Sequence, residues 1–130
     1  MERRDYLLDM IEKMAQFLRM LLQQLSKKEI SEDKAIEKIG SYFNIDFQTI
    51  LGLEKEVQWK TLNDIPNLNS KNQELLADFF VEMAEKANTE NPQKAIEYRK
   101  LALHTYENIN NTSKEFDMTR FQKITALKTL

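Results

Sequence analysis

An all-α fold, a bundle of five or six helices that contains an antiparallel helical hairpin, is what this sequence predicts, on three observations. Only two Gly and two Pro occur in 130 residues, so the chain has little of the punctuation that tight strand turns require. Apolar residues recur at spacings of three and four through most of its length. No segment shows the sustained two-residue alternation of a half-buried strand.

The elements follow in order. A first helix is predicted over about residues 4–25, where Leu7, Ile11, Met14, Leu18, Leu21 and Leu25 form one stripe. Tyr6, Met10, Phe17 and Met20 widen that stripe beyond a coiled-coil seam, so the 7–25 row is a candidate seam between two copies of the chain. Ser31 caps a second helix, with Glu32 and Asp33 placed to favour its dipole. Its apolar face holds Ala35, Ile36, Ile39, Tyr42 and Phe43, and Asn44 ends it. Asp46 caps a short third helix through Leu51, closed by Gly52. Residues 54–62 carry no decisive pattern. Residues 63–69 form a loop, because Pro66 drives Ile65 out of the helical region. Ser70 and Gln73 match a capping box for a helix that buries Leu76, Phe79, Phe80, Met83, Ala84 and Ala87. Asn91 and Pro92 cap and start the next helix, whose inner face is Ala95, Tyr98, Leu101, Ala102 and Ile109. An Asn-rich turn over 108–113 precedes a last helix carrying Phe116, Met118, Phe121, Ile124 and Leu127. The whole is expected to be a single domain, with an N-terminal half over 1–62 and a hairpin plus last helix over 70–130.

Composition narrows the function classes. A formal net charge of −2 gives no global field for nucleic acid or an anionic membrane. Cysteine is absent, which removes disulfide and thiolate chemistry and permits a cytoplasmic setting. Asp5, Asp9 and Glu12 interrupt the apolar region a signal peptide needs, and no apolar run reaches the roughly 20 residues of a membrane span. Cytoplasmic localisation is the expectation.

Catalytic signatures are missing. There is no GxxxxGK, GxGxxG or GxSxG pattern, and the only histidine, His104, has no cysteine to share a zinc site with. Carboxylate pairs such as Glu82 with Glu85 and Asp5 with Asp9 read as solvated helix faces. Neither an enzyme nor a cofactor is expected, though a site between facing helices would leave no motif. Residues 35–53 fit helix-turn-helix spacing through Ile39, Gly40, Asn44, Ile45 and Ile50. The helix that would enter the groove, however, has no Lys or Arg to neutralise phosphates, so nucleic-acid binding is the rival reading rather than the main one.

Across the hairpin, Phe80, Met83, Ala84 and Ala87 followed by Ala95 and Ala102 resemble one tetratricopeptide-like unit, with a turn about one residue shorter and Arg99 where that repeat has an aromatic. The chain as a whole is similar to an uncharacterised family of small bacterial all-helical proteins, which open with a stretch like DYLLDMIEKMAQFLRMLL and close with such a hairpin. The resemblance implies a fold and no catalytic residues. The function expected is a protein–protein interaction or scaffold module, self-associating as a homodimer or holding a protein partner. Its partner-facing candidates are Glu82, Tyr98, Arg99, His104 and Tyr106 on the outer rows of the hairpin.

Overall fold

The computed structural model describes residues 3–130, which form six α-helices and one 3-10 turn, without strands. Helix α1 (Arg3–Ser26) is the longest. Helix α2 (Glu32–Phe43) starts where Ser31 Oγ accepts the Lys34 N–H at 3.2 Å. It stops at Asn44, whose left-handed φ of 56° turns its N–H back to the Gly40 carbonyl. The chain then folds over Gly40 so closely that a Cβ there would sit 2.8 Å from the Ile45 carbonyl oxygen, and only glycine admits that approach.

Asp46 caps as expected, but a single 3-10 turn (Phe47–Thr49) follows in place of a third helix through Leu51. Helix α3 (Lys55–Asn63) occupies the stretch that lacks apolar periodicity. Its buried residues are Leu62 and Gln58, and the Gln58 amide donates to the Ile50 carbonyl at 2.9 Å.

Helix α4 (Ser70–Ala87) corrects the capping box. Asn69, not Ser70, caps it, accepting the Asn72 N–H at 2.9 Å. Gln73 is drawn inward instead, where its Oε1 accepts from Asn108. Helix α5 (Pro92–Thr112) begins with Asn91 Oδ1 accepting the Lys94 N–H at 3.2 Å. It continues through most of the predicted Asn-rich turn, because Asn108 is buried and bonded to Asn63 and Gln73. The turn lies later, and α6 (Met118–Lys128) starts on Asp117, leaving Phe116 outside it.

Helices α4 and α5 pair antiparallel at the centre, with Gln73 facing Asn108 at one level and Asp78 facing Tyr106 at the next. Helix α1 runs parallel to α4, since Asn72 meets the Ile11 carbonyl at one end and Leu25 and Lys86 line one depression at the other. Helix α3 lies along α5, where Trp59 Nε1 donates to the His104 carbonyl at 2.7 Å. Helix α6 also packs on α5 and runs parallel to α4. One apolar cluster draws side chains from all six helices, Met14, Ile36, Leu62, Phe80, Tyr98 and Ile124 among them. No described helix is long and apolar enough to cross a membrane.

Candidate interaction surfaces

The apolar surface of α1 divides into two rows one residue apart. In the 7–25 row, Met14, Leu18, Leu21 and Leu25 are buried within the chain. Ile11 is half-buried and Leu7 exposed. The expected seam between copies is therefore mostly internal core, because α4 covers the row from Met14 onward while the first two turns of α1 run past the start of α4. In the neighbouring row, interrupted by Lys13, Tyr6, Met10 and Met20 face outward, while Phe17 is partly buried and packs against the core. Tyr6 is 55% exposed and Met20 48%. Tyr42 of α2 extends the row by stacking on Phe17, with ring centroids 4.2 Å apart. Charges around it are matched inside the chain, Lys13 with Asp9 at 3.0 Å and Arg19 with Glu12 at 3.6 Å.

A second surface is the cleft of about 440 Å³ between α1 and α6, floored by α4. Leu22, Val81, Ala126, Leu127 and Leu130 supply apolar walls. Its closed end is a charge network that holds α6 down. Lys123 Nζ lies 3.1 Å from Glu74 and 3.0 Å from Asp78. The buried Arg120 guanidinium sits 3.7 Å from Glu74, and its Nε donates to Asn110 at 2.8 Å. Burial alone would lower the Lys123 pKa, but Asp78 and Glu74 outweigh it and hold the ammonium above its ordinary range. The Tyr106 hydroxyl donates to the same Asp78 carboxylate, and burial first, then that bond, pushes the phenol up.

Glu82 and Glu85 line the open end of the cleft. Among the described residues neither has an ion-pair or side-chain hydrogen-bond partner. Burial, helped by Glu85, raises the Glu82 pKa although Lys86 pulls it back.

The five partner-facing candidates are thus dispersed. Glu82 lines the cleft, and Arg99 borders the depression that continues it beyond Val81 and Glu85. Tyr98 is buried against Phe80, and burial raises its pKa. Tyr98 and Tyr106 are corrected to core positions, because the antiparallel pairing of α4 and α5 turns both rings inward. His104 faces α3, not the cleft. The sequence reading missed Glu74, Asp78, Arg120 and Lys123, whose only signal is matched charge at helical spacing on α4 and α6. The helix-turn-helix spacing over 35–53 is likewise not realised, since one 3-10 turn stands where a reading helix would be. No group of three or more potential metal ligands occurs among the described residues.

His104 Nδ1 lies 2.6 Å from Gln58 Oε1, which can only accept, so the ring donates there. Burial, opposed by Glu107 and reinforced by Lys55 and Lys100, holds its pKa below the ordinary imidazole value. The unfolded chain takes up a proton near pH 6.5 that the folded chain refuses, so stability falls as pH drops below about 6.5, by at most about 1.4 kcal/mol per pH unit. Urea titrations from pH 7.5 to 5.5 should show this slope in the wild type and a flatter one in His104→Gln. Equal slopes would remove His104 as its source.

Comparison with known proteins finds no matching family model, curated protein or solved structure.

Proposed function

We propose that the chain is a non-enzymatic, cytoplasmic protein–protein interaction module that self-associates through the outward row of α1. The observation that carries this reading is the row of Tyr6, Met10 and Met20, extended by Tyr42 stacked on the partly buried Phe17, which leaves large apolar side chains in water. Contiguous exposed apolar surface on a folded chain marks an interaction face. The row spans about 21 Å along the helix, at 1.5 Å per residue from Tyr6 to Met20. A second copy suits it, because the flanking charges are already neutralised in pairs and a two-fold contact would bring no unmatched field against itself. The absence of cysteine supports the cytoplasm as the setting.

Light scattering after size exclusion tests this from micromolar to about 1 mM, the range of a modest interface. The wild type should rise to the mass of a dimer. Tyr6→Glu combined with Met20→Glu should stay monomeric with its thermal midpoint unchanged, because both side chains are largely exposed. A wild type that remains monomeric throughout ends the reading.

A further inference from the structure

The cleft between α1 and α6 shows in its filled half what its open half is shaped to receive. Helix α6 is amphipathic and basic. Arg120 and Lys123 meet Glu74 and Asp78 on α4, while Ile124 and Leu127 pack against the apolar cluster. The carboxylates of α4 continue past this contact at helical spacing, Glu74, Asp78, Glu82 and then Glu85. The first two are matched by α6 and the last two are not. Val81, Leu127 and Leu130 line both the cleft and the depression that follows it along α4, so the apolar floor is continuous there. Arg99 flanks the far end and does not lie within ion-pair distance of Glu82 or Glu85.

We infer that this open half binds a basic amphipathic helix of another protein. Its apolar side chains would enter against Val81 and Leu127, and its Lys or Arg side chains would pair with Glu82 and Glu85. The occupant is argued from charge complementarity and from the repetition of the contact α6 already makes: a carboxylate row beside an apolar floor takes a helix with the reverse pattern. The inference rests on the reading of the chain as an interaction module, but it uses a face separate from the α1 row.

A fluorescein-labelled Leu/Lys peptide of about 14 residues, long enough to form a helix on binding, titrated with the full chain provides the test. Wild type should raise its anisotropy, and Glu82→Gln with Glu85→Gln should weaken binding about tenfold or more, as loss of two charge pairs predicts. Val81→Asn should weaken it as well, whereas Asp33→Asn with Glu37→Gln, on the separate acidic surface of α2, should leave it unchanged. A Leu/Glu peptide should not bind. Absence of binding, equal loss in the α2 variant, or complete displacement by spermine at the peptide's own concentration would overturn the inference, the last by making the cleft a site for small polycations. The monomeric Tyr6→Glu, Met20→Glu variant should still bind the peptide, so failure of either surface is read separately from the other.

Discussion

Phe80→Ala should cost the fold about 3–5 kcal/mol, the usual range for removing a fully buried phenylalanine. Phe80 has no exposed surface and sits in the middle of a run of rings. Phe43 meets Phe47 at 6.0 Å, Phe47 meets Phe80 at 5.6 Å, and Phe80 meets Tyr98 at 6.5 Å between centroids. The run links α2 and the 3-10 turn, through α4, to α5, so truncating its central ring leaves a cavity between the N-terminal elements and the hairpin. Against a total stability of about 5–15 kcal/mol this is a large fraction. A urea midpoint lower by about 2 M is expected, for a slope of about 2 kcal/mol per molar. Phe80→Leu should lose much less, because it keeps most of the volume. Single-transition unfolding in both variants would show that the rings bind the two halves into one cooperative unit. Two separate transitions would show that the halves fold apart. A loss under about 1 kcal/mol would remove Phe80 from the centre of the core.

Phe47, on the 3-10 turn, was not singled out in the sequence, but Phe43, Phe80 and Tyr98 were readable in advance because each lies in an apolar pattern at helical spacing. The same holds for the caps at Ser31 and Asn91, where a short oxygen-bearing side chain stands just before a helical pattern. Helix α3 was not readable, and the reason is physical. Of its two buried side chains one is Gln58, held by His104 on α5 and by the Ile50 carbonyl, so the apolar period that marks a buried face is missing. Asn108 misled for the same reason. Asparagine favours turns when its amide competes for the backbone, but here that amide is spent on Asn63 and Gln73 and the helix runs on. For α1 the sequence contains both apolar rows. Which of the two is covered depends on where α4 sits, and the rows differ by only one residue. The cleft was the least legible feature, since Glu74, Asp78, Arg120 and Lys123 become a network only once α4 and α6 are known to run side by side.

Arg120→Ala should release α6 without unfolding the rest. The two buried residues of α6 are Arg120 and Ile124, so a cation is one of its main anchors beside the partly buried Lys123 and Leu127. The guanidinium bonds Asn110 at 2.8 Å and the Glu115 carbonyl at 3.0 Å, and it faces Glu74. Breaking a fully buried ion pair from one side costs about 3–5 kcal/mol. Glu74 retains some contact with water and keeps Lys123, so about 2–3 kcal/mol is the proportionate loss here. Full burial of Ile124 contributes about 1.5–3 kcal/mol in the other direction, and with only the partly buried Leu127 beside it the 11-residue helix becomes marginal once its ordering entropy is counted. Amide exchange over 118–128 should therefore accelerate about 30- to 150-fold, taking 1.4 kcal/mol as tenfold, while exchange in α4 and α5 keeps its wild-type protection. Raised salt should accelerate it further, because the remaining Lys123 contacts are partly exposed and screened. Release would also take away Leu127 and Leu130, which line the cleft, so the Leu/Lys peptide should bind this variant more weakly than the wild type. Uniform loss of protection across all six helices would instead mean that α6 is part of the cooperative core. Faster exchange in α6 with unchanged peptide binding would mean that Leu127 and Leu130 are not part of the peptide's site.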